Sequence, residues 1–343
     1  MPLSIGILGA TGYTGAELIR LLHSHQGSRI TYCSSRQYNG RKIADILPFF
    51  QGTLDITLED FDASAIRKRC DVVFSCLPHG TSAEFISQIV DSVKVVDLSA
   101  DARIRNLATF EEWYGAHKNP ALLEKAVYGL SEVYRDEIRQ AALVANPGCY
   151  PTSILLPLIP LVEAGLIDTD GIVSDSKSGV SGAGRGLSLT THICEAGESF
   201  SAYKVGGTHR HIPEIEQELS RAAGRQVTIE FTPHLIPITR GMLSTIYVAT
   251  DAEEAELKDC ISSYYLGSRF VHVLAKGFPA TKDVRGTNNC LIGVAKNPRT
   301  NRAVIVSVID NLTKGASGQA VQNMNLMLGL PEESGLDSLP LFP

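Results

Sequence analysis

The sequence contains no run of about 18 or more apolar residues, so it offers no candidate helix long enough to cross a bilayer. It has no Cys-x-x-Cys pair, and its seven cysteines (33, 70, 76, 149, 194, 260 and 290) are an odd number. Those two facts argue against a disulfide framework and against a structural zinc site. It also has no basic stripe or Lys/Arg-rich tail: 31 Lys and Arg are interspersed with 37 Asp and Glu, for a formal charge of −6. The electrostatic footprint of a nucleic-acid binder is therefore absent, and a small molecule is the expected partner. Met1 leads directly into an apolar run with no basic leader or cleavage signal, which reads as a protein of the cytoplasm, with no membrane role.

What is present fits two domains, since 343 residues exceed most single cores. Leu3 to Leu8 is a short apolar run ending in glycines, and Ala16 to Leu22 follows with helical spacing. Ile30–Cys33, Val72–Cys76, Val93–Leu98 and Leu143–Ala145 read as further buried strands, with helical stretches such as Ser82–Val90 between some of them. This alternation predicts an α/β domain with a doubly wound, Rossmann-like parallel sheet over residues 1–148. From 149 to 315 the runs become β-rich: Val227–Phe231, Ser244–Thr250, Val271–Leu274, Leu291–Lys296 and Ala303–Asp310. They predict an α+β domain on a mixed, largely antiparallel sheet. The helical Gln319–Leu328, stopped by Gly329 and Pro331, is expected to carry residues 316–343 back to the first domain.

Three clusters point to chemistry. Gly9-Ala10-Thr11-Gly12-Tyr13-Thr14-Gly15, between strand and helix, is a spacing that lets backbone amides and a helix N-terminus receive a pyrophosphate. A ligand-free glycine turn is the alternative for the motif alone. The second strand runs into Ser34-Ser35-Arg36, where a NAD site usually has Asp or Glu. Two hydroxyls and a guanidinium suit a 2′-phosphate, so NADP is expected over NAD, with a solvated surface arginine as the other reading.

Asn146-Pro147-Gly148-Cys149-Tyr150-Pro151-Thr152 sets a cysteine in a turn ahead of an apolar, helical-looking stretch from near Ser153. A thiol at a helix N-terminus is favoured as thiolate, the form a nucleophile needs. The other six cysteines lie in apolar or unremarkable segments and read as small buried hydrophobes, while Pro157 and Pro160 are expected to kink the helix. His209-Arg210-His211-Ile212-Pro213-Glu214 gathers acid–base groups between a glycine turn and an amphipathic helix, Ile215–Ala222. A histidine there could serve the thiol and the carbonyl oxygen, with Glu214 orienting the ring. The His-x-His spacing also permits a metal, but no third ligand stands at a familiar distance, so none is expected; a solvated helix start is the remaining reading. Arg103, Arg185 and Arg240 are candidates for a substrate carboxylate or phosphate, each also readable as a salt-bridge residue.

Taken together, Gly9–Gly15, Asn146–Thr152, Ser178–Arg185 and His209–Glu214 resemble the semialdehyde dehydrogenase superfamily, and its N-acetyl-gamma-glutamyl-phosphate reductase family (type 1) fits best. The resemblance continues through Asp97–Asp101, Pro233–Gly241, Gly286–Asn289 and Lys314–Ala320, so it spans essentially the whole chain. It implies NADPH-dependent reduction of an acyl phosphate of N-acetylglutamate in arginine biosynthesis, by a homo-oligomer (dimer or tetramer). Cys149 would be the nucleophile and His209, protonated, the acid–base catalyst, with the choice between His209 and His211 open. The resemblance further implies cofactor contacts from Ser181, Gly182 and Asn311, and substrate contacts from Arg103, Asn146, Ser178, Arg185, His211 and Arg240. Ala102 stands where many relatives have phenylalanine. Sister readings are aspartate-semialdehyde dehydrogenase, a carrier-linked aminoadipyl-phosphate reductase, and a non-enzymatic NADP sensor.

Overall fold

The computed structural model describes residues 2–341, which divide into two compact units: residues up to Pro147 with Ala316–Asp337, and Gly148–Gly315 with the segment from Ser338. The sequence-based boundary assigned all of 316–343 to the first domain. The departure comes at Ser338, beyond which the chain turns to the second unit and Leu341 donates its N–H to the Arg285 carbonyl at 2.9 Å.

The first unit is built on six parallel strands, β1 (Leu3–Leu8), β2 (Ser28–Ser34), β3 (Val72–Ser75), β4 (Lys94–Asp97), β5 (Ala126–Tyr128) and β6 (Leu143–Ala145), in the order β2-β1-β3-β4-β6-β5. The short apolar runs form strands here because both sheet faces are covered. All four residues of β3 are buried, and Leu8, Tyr32, Val73, Ile86, Val95 and Leu143 share one core cluster. Strand order reverses at β1, which has β2 on one side and β3 on the other. The turn leaving the carboxyl end of β1 is the glycine motif, at the position where open α/β sheets take ligands. Helix Gly318–Met327 is buried along its whole length and packs on the first helix, Tyr13–His23. Two of its buried amide side chains are paired: Asn323 donates to the Gly129 carbonyl (2.8 Å) and to Asn146 Oδ1 (3.0 Å), and Gln322 donates to Glu132 (2.9 Å).

The second unit carries a seven-stranded sheet of β7 (Ile172–Gly179), β8 (Ser201–Ala202), β9 (Ile229–Ile236), β10 (Met242–Ala249), β11 (Val271–Val273), β12 (Cys290–Asn297) and β13 (Arg302–Ile309). Its order is β11-β12-β13-β10-β7-β9-β8, antiparallel except for the β11–β12 and β7–β9 pairs. Helices Cys149–Glu163, Ile212–Ala223 and Glu254–Tyr264 pack together over one face. The centre of that face is a ladder of serine hydroxyls: Ser174 to Ser176 at 3.1 Å, Ser176 to Ser244 at 2.7 Å, and Ser244 to Ser153 of the helix at 2.7 Å. Small hydroxyl residues let helix and sheet approach closely while satisfying one another.

The helix begins at Cys149 rather than near Ser153, because Pro151 falls in its first turn, where the missing N–H has no partner to lose. Pro157 and Pro160 lie inside the helix. Pro160 leaves the Leu156 carbonyl without its helical donor, and the Tyr265 hydroxyl supplies one at 2.6 Å. Among the described residues, no helix is long and apolar enough to cross a membrane.

Candidate active site

Two groups of residues carry the chemistry, one in each unit. In the first unit, Gly9 has φ of +78°, and a side chain there would stand 2.8 Å from the Cys76 carbonyl oxygen. A Cβ on Gly15 would stand 2.6 Å from the Gly9 carbonyl oxygen. Chain packing alone therefore demands both glycines. Gly12 is different, since a Cβ there would meet only Gly9 O, at 3.6 Å, and otherwise project into open space. Gly12 is also the N-cap of helix Tyr13–His23 and has no capping side chain, so the first amides, from Tyr13 and Thr14 onward, are left for an outside acceptor. This is a cradle that a side chain would fill and a pyrophosphate fits.

The end of β2 closes on the same turn. The Ser34 carbonyl accepts from Gly9 N (3.1 Å) and Ala10 N (3.0 Å), and Ser35 Oγ lies 3.2 Å from Thr11 Oγ1. Arg36 is exposed and has no hydrogen-bond or ion-pair partner among the described residues. The neighbouring Glu59 carboxylate is held by Arg69 at 2.8 Å. An unengaged guanidinium beside two hydroxyls is the arrangement a 2′-phosphate calls for.

In the second unit, Cys149 opens its helix after Gly148, whose extended backbone (φ −67°, ψ 158°) forms the N-cap. Gly148 N donates to Glu214 Oε1 at 2.8 Å, and Glu214 is fully buried in the first turn of helix Ile212–Ala223. Gly315 clears the space behind the thiol, since a Cβ there would stand 2.8 Å from Cys149 Cβ.

His209 sits in an aromatic cage, its ring edge-on to Tyr150 (5.6 Å between centroids), Tyr203 (5.6 Å), Phe231 (5.2 Å) and His211 (4.9 Å). The backbone N–H of His211 donates to His209 Nδ1 at 3.1 Å, which leaves the proton of the neutral ring on Nε2. Burial, with added repulsion from Lys204 and Arg210, lowers the His209 pKa to about 4. The resemblance implies a protonated His209 as the acid–base catalyst. The structure corrects this: at neutral pH the resting ring is uncharged and offers Nε2–H as a donor. Tyr203 donates to Tyr150 Oη at 3.1 Å; burial holds the Tyr150 phenol well above its ordinary range and pushes Tyr203 up to about 12, so both keep their protons.

The remaining sequence candidates fall into three situations. Ser181, Gly182 and Asn311 come together: Asn311 Nδ2 donates to Ser181 Oγ at 2.9 Å, and a Cβ on Gly182 would touch Ser178 Oγ at 2.8 Å. Arg240, Arg103 and Asn146 are engaged within the protein. Arg240 Nε donates to Asp310 Oδ2 (3.0 Å), Arg103 Nη2 to the Leu98 carbonyl (2.7 Å), and Asn146 Nδ2 to the Ala316 carbonyl (3.2 Å). Arg185 lies exposed on the loop after the 3-10 turn Val180–Ala183. Among the described residues, no group of three or more His, Cys, Asp or Glu could hold a metal ion.

Residues 4–141 match the semialdehyde dehydrogenase NAD binding domain, and residues 149–311 match the semialdehyde dehydrogenase dimerisation domain. The chain is 51% identical over 345 residues to the N-acetyl-gamma-glutamyl-phosphate reductase of Geobacter sp. strain M21, covering 99% of this chain and 100% of that protein. It is 48% identical to the enzyme of that name from Symbiobacterium thermophilum, covering 100% of both. The chain belongs to the N-acetyl-gamma-glutamyl-phosphate reductase family.

Within the wider fold, this reductase family member is similar to aspartate semialdehyde dehydrogenase II from Vibrio cholerae in complex with ASA (TM-score 0.72, 17% identity, covering 96% of this chain and 99% of that one). It is also similar to the Candida albicans aspartate semialdehyde dehydrogenase with NADP (TM-score 0.70, 18% identity, 96% and 99%). At that identity the likeness establishes the shared two-domain fold, Rossmann-like sheet and mixed sheet alike. Sequence reasoning about this family member gave no role to Tyr150, Tyr203, Phe231 or Gly315. Tyr150 adjoins the nucleophile and could have been flagged; Tyr203 and Phe231 reach His209 only through the tertiary fold.

Proposed function

We propose that the chain reduces N-acetylglutamyl 5-phosphate to N-acetylglutamate 5-semialdehyde and phosphate, with NADPH, as a step of arginine biosynthesis. The observation that carries this reading is Cys149 at a helix start, anchored through Gly148 to buried Glu214, with the tautomer-fixed His209 packed on the adjacent Tyr150.

The Cys149 sulfur attacks the acyl carbon; a C–S bond forms, the C–O bond to phosphate breaks, and phosphate departs with the electron pair. Gly9, Thr11, Gly12, Tyr13, Thr14 and Gly15 would hold NADPH, with Ser34, Ser35 and Arg36 at its 2′-phosphate and Ser181, Gly182 and Asn311 as further contacts, and the bound cofactor would supply a hydride to the thioester carbon. His209 Nε2–H and the helix-start amides donate to the oxyanion that develops on the acyl oxygen, a type of interaction worth roughly 3–4 kcal/mol per donor. Collapse of that oxyanion breaks the C–S bond, returns the electron pair to Cys149 and frees the aldehyde. Glu214 holds the Cys149 turn rather than moving a proton. Ser178, Arg185, His211, Arg103, Asn146 and Arg240 complete the substrate surroundings, with Arg240 acting through its ion pair to Asp310.

The working form is a homo-oligomer. The sheet face away from the helices carries half-buried Leu243, Tyr247, Val173, Val304, Val306 and Leu291, with Tyr247 paired across strands to Val173 and Val304. An apolar sheet face of this kind, within a segment that matches a dimerisation domain, fits a second copy. None of the seven cysteines is in a disulfide, which suits the reducing cytoplasm. Phosphate-dependent reduction of NADP by N-acetylglutamate semialdehyde, measured beside aspartate semialdehyde, tests the assignment. Turnover with the acetylated substrate alone is expected; preference for aspartate semialdehyde would overturn the substrate, and no turnover with either would overturn the activity.

A further inference from the structure

β13 ends at Ile309, and the residue after it, Asp310, is fully buried with both carboxylate oxygens engaged. Oδ1 accepts from the N–H groups of Leu312 (2.9 Å) and Thr313 (3.2 Å), and Oδ2 from that of Gly286 (2.7 Å). Arg240 reaches the same two oxygens, Nη2 donating to Oδ1 at 3.2 Å and Nε to Oδ2 at 3.0 Å. The Asp310 carbonyl in turn accepts from Gly315 N at 2.9 Å, within the π-helical turn Thr313–Ser317. An ion pair alone would need none of these backbone donors.

No other π-helical turn occurs among the described residues. Such turns are rare, and many of them lie at functional sites. An aspartate that takes the amides two and three residues ahead holds the chain in a local turn. What this turn places is Gly315: a Cβ on it would stand 2.8 Å from Cys149 Cβ and 3.3 Å from Cys149 Cα. Bare backbone therefore lies directly against the cysteine, with no side chain between them to give way. Glu214 secures the residue before Cys149 through Gly148 N, and Asp310 secures the backbone that Cys149 rests on.

We propose that Asp310 is a positioning residue for Cys149: by organising residues 312–315 it sets the backbone wall behind the cysteine, and so the line along which the sulfur meets the acyl carbon. This rests on the reductase reading above, in which Cys149 is the nucleophile, and Asp310 was not among the residues singled out from sequence. Its contribution is to alignment in the transition state rather than to the binding of either substrate.

The test compares wild type, Asp310→Asn, Asp310→Glu and Arg240→Gln by steady-state kinetics of phosphate-dependent semialdehyde oxidation and by iodoacetamide labelling, read by peptide mass spectrometry. Asp310→Asn puts an NH2 group where an oxygen took donors. Asp310→Glu keeps the charge for Arg240 but moves it a methylene away from the Leu312 and Thr313 amides, and it carries the test if Asp310→Asn fails to fold. Both should lower kcat about tenfold or more and leave the KM for each substrate within about threefold, the signature of lost transition-state alignment. Labelling of Cys149 should keep its wild-type dependence on pH, since a small reagent reads the thiolate and not its aim, while fully buried Cys290 stays protected. A raised KM with kcat unchanged, matched by Arg240→Gln, would show that Asp310 acts through Arg240 alone and would overturn the proposal. So would a shift in the pH dependence of Cys149 labelling that accounts for the whole fall in kcat, or Cys290 labelling that rises in step with that fall, which marks general loosening of the fold. Turnover retained by Cys149→Ser would count against the reductase reading instead, separately from any result on Asp310.

Discussion

Removing the Glu214 carboxylate isolates the link between the two short motifs. Gly148 N and Glu214 Oε1 meet at 2.8 Å, with Glu214 fully buried. In Glu214→Ala the amide at the N-cap of the cysteine helix loses its acceptor in a buried site, which costs about 1.5–3 kcal/mol for a charge-assisted bond. For a unit of this size, that corresponds to a fall in Tm of roughly 4–10 °C. The turn carrying Cys149 would also relax, and an ångström of misplacement at a nucleophile can cost about a hundredfold in rate. Glu214→Gln keeps an oxygen in place, so it should stay within about 1 kcal/mol of wild type and retain most of its turnover. The assay is thermal unfolding of all three proteins beside kcat for semialdehyde oxidation. If Glu214→Ala unfolds at the wild-type temperature, the anchor reasoning is wrong. If Glu214→Gln is as inactive as Glu214→Ala while fully stable, the carboxylate has a role beyond holding the turn.

Other outcomes follow from the same geometry. Gly12→Ala should fold normally, because its Cβ meets only Gly9 O at 3.6 Å, yet raise the KM for NADPH; Gly15→Ala, whose Cβ would stand 2.6 Å from backbone, should lose stability by about 1–3 kcal/mol or more. Thermal scans and NADPH titrations of the pair separate the two roles. Arg36→Ala should raise the KM for NADPH about 10- to 100-fold and leave that for NADH nearly unchanged, since only the 2′-phosphate loses a partner; equal effects on both cofactors would refute that placement. The His209 pKa is lowered to about 4 against an unfolded value near 6.5, so the unfolded chain takes up the proton first. Stability contributed by the neutral ring is complete above pH 6.5 and is lost as pH falls toward 4, by up to about 3 kcal/mol. Denaturant unfolding across that window should therefore show a gentler acid loss in His209→Gln than in wild type.

Much of the first unit could be read directly, because strands buried on both faces appear as uninterrupted apolar runs such as Val72–Phe74. β7 could not: its inward residues are Ser174, Ser176 and Ser178, so the alternation of Ile172–Gly179 carries no hydrophobic signal. Those serines are buried because partners on β10 and the cysteine helix satisfy them, a fact held only in the tertiary structure. The cysteine helix was read short for a related reason. Its prolines argue against helix locally, and the group that compensates for Pro160, Tyr265, lies more than a hundred residues away. At the site, the glycine turn, Cys149 and the histidine pair are local motifs and were legible. The neutral state of His209 was not, because it depends on burial and on charges brought to the ring by the fold.

The most direct test of the central claim is the reaction of enzyme with N-acetylglutamate semialdehyde and NADP in the absence of phosphate, followed by stopped-flow absorbance and peptide mass spectrometry. A covalent route through Cys149 gives a burst of NADPH of about one equivalent per site, then a stall, with the N-acetylglutamyl mass added to the Cys149 peptide and both signals missing in Cys149→Ser. Absence of a burst with phosphate-supported turnover intact, an adduct on another residue, or normal turnover by Cys149→Ser would contradict it.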